Sequence, residues 1–413
     1  MMRLQDDTGA SSTATYEKLE TLVRAKMKDF IEDILQEEVT AFLGRAWHER
    51  AKGIIDASLG RRNGRGRPRK LALMNGTVTI RRPRIRGLEE RFESRVLPLF
   101  KRRTKELSEM LPELYLHGLS SGDFELALRG LLGDGAPLSP SSIDRLKAKW
   151  RLEYEQWKRE DLSDIKLVYQ WADGLYVKAG FEKEKAALLV LIGADDQGNK
   201  KFLAVESGYR ESHESWADVV RDLKRRGLKL GRLTVADGAL GLWSCLRELH
   251  PEGDEQRCWN HRITNILDDI PKKHQTEASE LLTQMPYEPT KALCEKKRDE
   301  FIRRFKKISP KATEKIMVDW DRMVTFYSYP EEHWVHLRTT NIVESPFNAI
   351  RIRTNASKRY KKIENAEAMI WKLTQVAEKT FRKLHAPELM ERVYRGEKFY
   401  DGKAVVEVES NAA

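Results

Sequence analysis

Residues 167–178 read LVYQWADGLYVK. Leu167, Val168, Tyr169 and Trp171 have the apolar, β-branched and aromatic character of a buried strand, and such a strand has no reason to end on a carboxylate unless the carboxylate is used. Asp173 is that carboxylate. Gly174 follows, which lets the backbone turn tightly, and Leu175, Tyr176 and Val177 resume the apolar run. Asp173 is therefore expected where strand meets turn, facing a cleft.

Downstream, residues 186–194 (AALLVLIGA) form a second buried run. It leads through Asp195, Asp196, Gln197, Gly198 and Asn199 into a third run at 202–205, a strand–turn–strand signal that makes Asp195 and Asp196 turn residues. Ser212 caps a helix with Trp216, Val219, Val220 and Leu223 on one face, stopped by Gly227. Residues 233–237 (LTVAD) repeat the strand–Asp–Gly pattern, with Gly238 after Asp237. A helix at 240–249 and an extended segment at 255–259 complete the order three strands, helix, strand, helix, strand, an α/β layout. From 261 to 338 the chain is charged, helical in pattern and broken by Pro271, Pro286, Pro289, Pro310 and Pro330, which predicts an all-helical insertion. Residues 338–354 (RTTNIVESPFNAIRIRT) carry Glu344. A helix follows at 364–384, with a stripe at Ala366, Met369, Ile370, Leu373, Val376, Ala377, Phe381 and Leu384.

Upstream, residues 1–15 are polar with nothing to bury and are expected to be disordered. Residues 17–43 carry an apolar stripe at Leu19, Leu22, Val23, Met27, Phe30, Ile31, Ile34, Leu35, Val39, Phe42 and Leu43, a long helix ended by Gly44. The stripe serves either packing within its own domain or subunit association. Residues 61–105 hold sixteen basic residues against three acidic ones, beginning RRNGRGRPRK. Gly64, Gly66 and Pro68 interleave with Arg67 and Arg69 as in flexible arms that enter a minor groove. Thr77 and Thr79 then alternate with Val78 and Ile80, as in a β-ribbon carrying Arg81, Arg82, Arg84 and Arg86. This region is expected to contact DNA, at phosphates more than at bases. Helices at 104–118 and 123–132, a turn at 133–137, and Ser139 as cap with Pro140 opening a helix through Trp157 have a helix-turn-helix silhouette. That silhouette places Ser141, Ser142, Arg145 and Lys147 near base edges, although helix pairs with short turns are as common in plain bundles.

The whole chain bounds these readings. Its 413 residues suffice for about three domains. Lys and Arg number 75 against 64 Asp and Glu, a net charge of +11 that favours a polyanionic partner. Cys245, Cys258 and Cys294 are an odd number at no disulfide-like spacing, which points to a reducing compartment. No apolar run approaches the ~18 residues of a membrane span, and the N-terminus lacks the apolar core of a signal peptide, so a cytoplasmic protein without membrane contact is expected.

Two strands that each bring an aspartate to the end of a sheet, with a glutamate on a later helix, match what two-metal phosphoryl transfer requires. Two Mg²⁺ ions ~3.5–4 Å apart, with Mn²⁺ as substitute, need bridging and flanking carboxylates. Asp173 would bridge both ions, while Asp237 and Glu344 would each hold one. Glu206, Asp254, Asp268 and Asp269 have weaker contexts. Cys258 and His261 form a single Cys-x-x-His without a second ligand pair at recognised spacing, which favours a structural role near the cleft over zinc, with contact to DNA by His261 as a second option.

In these residues the chain resembles the IS256-type bacterial insertion-sequence transposases of the DDE recombinase group. The matching pieces are Asp173-Gly174-Leu175-Tyr176-Val177, Val235-Ala236-Asp237-Gly238, Gln256-Arg257-Cys258-Trp259-Asn260-His261, and Thr339-Thr340-Asn341 with Glu344. Arg351, seven residues after Glu344, matches a basic residue that the family keeps, and the resemblance runs from about residue 60 to 400. It implies an RNase H-like catalytic core, a mixed five-stranded sheet with flanking helices, interrupted by the helical insertion and preceded by a mainly helical DNA-binding region. The expected division is 1–60 helical and dimerising, 61–160 basic ribbon and helix-turn-helix-like, 161–262 core, 263–337 insertion, 338–400 C-terminal core helices and 401–413 tail.

The implied activity is metal-dependent cleavage of a 3′ end at the terminal inverted repeats of the element and strand transfer to target DNA, by a copy-out, paste-in route through a circular intermediate. A homodimer on double-stranded DNA, in the bacterial cytoplasm at the nucleoid, goes with it. Arg351 would hold the scissile-strand phosphate beside the metals, and Lys358, Arg359, Lys361 and Lys362 would track phosphates beyond it. Two rival readings stand beside this one: a DNA-binding regulator with idle acids, and a simple nuclease that hydrolyses without joining.

Overall fold

The computed structural model describes residues 12–50, 58–89, 92–98, 101–119, 123–133, 136–137, 140–178, 186–208, 210–238, 240–356, 360 and 362–405. The chain forms two compact units, 1–146 and 147–413.

In the first unit, helix α1 (Ser12–Leu43) runs for 32 residues and stops at Gly44, whose φ of +62° suits glycine. Strands β1 (Arg61–Arg65), β2 (Arg69–Leu73), β3 (Gly76–Ile80) and β4 (Pro83–Arg86) follow. β2 and β3 form an antiparallel hairpin, and β1 pairs with β4 around it. Period-two alternation sends Leu71, Leu73, Val78 and Ile80 onto Leu35 of α1, with Met27 and Ile31 at the margin. Ala72 points the other way, into a cluster with Leu107 of α2 (Lys105–Leu116) and Leu132, where α3 (Phe124–Ala127) and α4 (Arg129–Leu132) lie. Covering both faces lets a small ribbon hold a core.

The arginine-rich stretch is thus no flexible arm. Arg61–Arg65 is a strand, held because Glu32 of α1 pairs with the Arg65 guanidinium and accepts the Arg81 backbone N–H at 3.0 Å. Nor is the whole α1 stripe buried. Leu35, Val39 and Leu43 are sealed, whereas Leu19, Leu22, Val23 and Phe30 are 52, 61, 40 and 66% exposed.

Helix α5 (Pro140–Trp157) leads to the second unit. Its sheet has the order β7 (Lys200–Gly208), β6 (Ala186–Asp195), β5 (Leu167–Val177), β8 (Leu233–Ala236), β9 (Asp254–Arg257). β5, β6 and β7 are antiparallel neighbours, and β5, β8 and β9 are parallel ones, which makes the expected mixed five-stranded sheet. The Asp195 carboxylate accepts the backbone N–H groups of Gln197 and Asn199, and Asp196 pairs with Lys166, so both are turn residues, as read from the sequence.

Helices α6 (His213–Arg225) and α7 (Leu240–Leu249) pack Trp216, Val220, Leu242 and Trp243 onto Ala172, Leu189, Leu203 and Ala236. Residues 259–337 are helical throughout their regular structure: α8 (Trp259–Leu267), α9 (Lys272–Gln284), α10 (Lys291–Phe305), α11 (Pro310–Met317), α12 (Trp320–Met323) and α13 (Trp334–Leu337), with short 3₁₀ turns. Several of the expected breaker prolines act as starts, Pro271 capping α9 and Pro310 opening α11.

Helices α14 (Asn341–Ala356), α15 (Ile363–Glu378) and α16 (Glu388–Tyr394) follow, and a hairpin of β10 (Phe399–Tyr400) and β11 (Lys403–Ala404) closes the described chain. α15 is shorter than its stripe. Phe381 and Leu384 lie beyond the helix, where Phe381 stacks on Phe202 and the Leu384 N–H reaches the Gly198 carbonyl. No described helix is long and apolar enough to cross a membrane.

Candidate active site

In the parallel pairing of β5 and β8, Trp171 stands beside Val235 and Ala172 beside Ala236. The next residues on the two chains are Asp173 and Asp237, so the register sets two carboxylate-bearing positions side by side on strands ~4.8 Å apart. Asp173 does not sit at a strand end, however. β5 continues to Val177 with Asp173 opposite Val190 and Gly174 opposite Leu189, because β6 offers an unbroken antiparallel partner. The turn expected at Gly174 is therefore corrected to mid-strand. Of the two expected strand–Asp–Gly pairs, at 173–174 and 237–238, only the second turns, with Gly238 at φ +105°.

Alternation along β5 places Tyr169, Trp171 and Asp173 on one face and Gly174 and Tyr176 on the other. The first face is anchored to residues 333–336: the Tyr169 hydroxyl meets His333 Nδ1 at 2.8 Å, and Trp171 Nε1 donates to the His336 carbonyl at 3.0 Å.

Glu344 arrives on the first turn of α14. The approach to that helix is tied to the end of β9. Trp259 N–H donates to the Arg338 carbonyl at 2.9 Å, the Thr340 N–H to Cys258 Sγ at 3.3 Å, and Asn260 Nδ2 to Asn341 Oδ1 at 3.3 Å. Thr340 Oγ1 donates to the Glu344 carboxylate and also lies 3.3 Å from Cys258 Sγ and 3.5 Å from His261 Nδ1. His261 Nδ1 is 3.8 Å from Glu344 Oε1. Cys258, His261 and Glu344 thus bring one ligand atom each within 4.8 Å of one another. The Cys-x-x-His lacks a second pair in sequence, and the third donor comes from a helix some eighty positions on.

The electrostatics tie these groups together. Burial pushes the Asp173 carboxyl up to about 7; repulsion from Asp237 and Glu344 adds to the rise, while the Gly174 N–H and His261 oppose it. His261 is pushed up to about 9, first by its hydrogen bond to Cys258 and then by the charges of Cys258, Glu344 and Asp237, against burial. A carboxyl that burial first, and then two neighbouring carboxylates, keep from ionising belongs to a donor set suited to a divalent cation.

Glu211, which sequence reading passed over, joins the group. It lies directly before the α6 cap Ser212, and its Oε1 accepts from the Tyr176 hydroxyl at 2.8 Å. Burial and then Asp237 raise its carboxyl above the usual range. An acid at the entrance to a helix reads as a capping residue, so nothing local distinguishes it.

Of the basic candidates, Arg351 is exposed on α14, with Nη1 3.5 Å from Asn348 Oδ1 and its guanidinium 5.9 Å from the Phe347 ring centre. α14 continues past Pro346, so Glu344 and Arg351 share one helix. Lys358 and Arg359 lie outside the described residues, as do Lys361 and the expected cap Ser139. In the first unit Arg67, Arg69, Arg82 and Arg84 line one groove with Phe92 and Glu93. Burial, followed by the neighbouring charges of Arg82 and Arg102, lowers the Arg69 pKa, and its guanidinium donates to the Lys101 carbonyl. Arg81 is exposed in the link from β3 to β4. Arg145 stands apart on α5, close enough to Arg103 to lower that residue's pKa after burial has done so.

The family described as "Transposase, Mutator family" matches residues 2–383. The chain is 42% identical over 297 residues to the transposase for insertion sequence element IS6120 of Mycolicibacterium smegmatis, covering 72% of this chain and 92% of that one. It is 38% identical over 278 residues to the transposase for insertion sequence element IST2 of Acidithiobacillus ferrooxidans, covering 67% and 94%. The transposase for insertion sequence element IS256 in transposon Tn4001 of Staphylococcus aureus is 29% identical over 203 residues, covering 48% and 50%.

Proposed function

The chain belongs to the Mutator family of transposases and is of the IS256 type, and on that premise we propose that it cleaves 3′ ends at the terminal inverted repeats of its element and joins them to another phosphodiester. The observation that carries the reading is the β5–β8 register, which sets Asp173 beside Asp237 with Glu344 close enough to repel the Asp173 charge.

In this reading the second unit is an RNase H-like core interrupted by the helices of residues 263–337. Asp173, Asp237 and Glu344 would hold two Mg²⁺ ions, or Mn²⁺ in their place. Such ions activate the attacking oxygen and stabilise the leaving one. Asp173 must be ionised to take part, and a bound cation would favour that form, the proton passing to water. Thr340 and His261 hold the Glu344 carboxylate toward the strand ends while the site is being filled. Arg351, with Lys358 and Arg359, orients the scissile strand, so that a water and then the 3′-hydroxyl attack without a covalent protein intermediate.

Arg67, Arg69, Arg81, Arg82, Arg84 and Arg145 bind the element ends, chiefly through phosphates. Two chains act together, as a homodimer on DNA, because two ends must be held at once; the product route is copy-out and paste-in through a circle, in a bacterial cytoplasm. The test is a strand-transfer assay with Mg²⁺ and a labelled duplex carrying the element's own terminal repeat, run beside Glu344→Gln. Joined products that vanish in the variant are expected. Repeat binding without cleavage in either Mg²⁺ or Mn²⁺ would mark a regulator with idle acids, and hydrolysis without joining a nuclease.

A further inference from the structure

We infer that Glu211 is a fourth carboxylate of the cation centre, a ligand on the Asp237 side that Tyr176 orients and Gly174 admits. The inference rests on the metal-dependent reading above.

Three independent features converge on this side chain. Gly174 follows Asp173 in a strand that does not turn, and its φ lies outside the left-handed region, so conformational freedom does not explain the glycine. Space does: a Cβ at 174 would collide with the Glu211 carboxylate. The strand gives up a side chain so that an acid from the β7–α6 loop can come down onto it.

Tyr176, two residues on and on the same face, donates its hydroxyl to Glu211 Oε1 at 2.8 Å, which fixes one oxygen and leaves the other as a donor to a cation. Ser212 caps α6 with its side chain on the Ser215 N–H, so the helix end is already satisfied and Glu211 is not needed there. The charges that act on Glu211 are those of the site: Asp237 repels it and His261 attracts it. No described basic side chain is paired with it by hydrogen bond or ion pair. A carboxylate that feels another carboxylate's charge, with a tyrosine holding one oxygen, has the surroundings of a metal ligand rather than of a structural ion pair.

The experiment uses full-length protein without DNA. Mn²⁺ binding is followed by the loss of the free-ion electron paramagnetic resonance signal, and the Mg²⁺ dependence of end cleavage is measured on the same preparations. Glu211→Gln keeps the volume and removes the charge; it should need about tenfold more Mn²⁺ for half-saturation, and its cleavage should recover at raised Mg²⁺. Tyr176→Phe should move the same way by less.

Gly174→Ala should resemble Glu211→Gln, yet add nothing further when combined with Glu211→Ala, because the clash has then gone. Metal-free melting points separate these effects from simple unfolding. A Glu211→Gln protein with wild-type Mn²⁺ titration and Mg²⁺ dependence overturns the inference, and so does an alanine at 174 that costs as much without Glu211 as with it. Asp173→Asn tests the underlying reading: if it binds Mn²⁺ like the wild type, the centre itself falls and Glu211 with it.

Discussion

The Thr340 hydroxyl has one proton and three neighbours. A carboxylate oxygen accepts more strongly than sulfur, so the proton goes to Glu344, and the contact to Cys258 is left to the Thr340 backbone N–H. Thr340→Val keeps shape and loses that donor. Cleavage should fall by about 10- to 100-fold with repeat binding unchanged, and Thr340→Ser should restore most of it; single-turnover cleavage beside a binding isotherm reads both. A second residue-scale prediction concerns pH. His333 Nε2 faces the Ala386 carbonyl at 3.1 Å, which can only accept, so Nδ1 takes the Tyr169 proton. His336 Nε2 accepts the His385 N–H at 3.1 Å. Both imidazoles are therefore neutral. Burial lowers both from 6.5, His336 to about 4 with help from the charges of His385, Lys200 and His333. Below about 6.5 the unfolded chain takes up protons that the folded chain refuses, so these histidines cost stability progressively as pH falls toward 4. Asp173, Glu211 and Glu378 are held high and act in the opposite sense, which makes the difference between variant and wild type the right readout. The melting point of His336→Gln relative to wild type should rise between pH 7 and 4.5; a constant difference would refute the assignment.

Elements show why part of this architecture was legible and part was not. Strands β5 to β8 declare themselves as apolar runs, and their order along the chain and the two aspartates follow from patterning. The glycine after Asp173 was misread because sequence offers one common reason for Asp–Gly, a turn, whereas the actual reason is a side chain 37 positions away. Glu211 was missed for the same reason in reverse, since its neighbours in sequence are helix-start residues. Thr340 was legible as part of a motif, but its bridge from Cys258 to Glu344 belongs to tertiary structure. In the first unit the arginines were legible and their form was not. A Gly-interleaved run looks flexible until a carboxylate on another element, Glu32, holds it in a strand. That ribbon carries its own prediction. Arg67, Arg82 and Arg84 line one groove, and phosphate contacts release counterions, so the triple alanine variant should bind all duplexes more weakly. The slope of log K against log salt should become shallower by up to about 3, one unit or a little less per contact, measured by fluorescence anisotropy at several salt concentrations. An unchanged slope would remove the groove from the DNA interface.

At the scale of the molecule, charge and apolar surface point to separate duties. Residues 61–105 carry 16 − 3 = 13 net positive charges against +11 for the whole chain, so the remainder nets −2 and the positive excess is concentrated in that segment of the first unit. The same unit presents a row that its own core leaves open. Leu19, Leu22 and Val23 lie at helical spacings of three and four on the half of α1 that extends past the ribbon contacts of Met27, Ile31 and Leu35. Apolar residues repeated on one face of a long helix and left in water are stabilised by a like face, and a second copy of this chain offers one. The proposed reaction asks for the same thing, since joining one end beside another would require two end-binding surfaces in one complex. Replacing Leu19 and Leu22 by Gln should leave the unfolding free energy of the isolated chain within about 0.5 kcal/mol of wild type, because exposed positions contribute little to its fold. The same change should shift sedimentation of the repeat-bound protein from two chains per complex toward one and reduce strand transfer more than repeat binding. If the variant pairs and transfers as the wild type does, α1 is not the contact that brings two chains together.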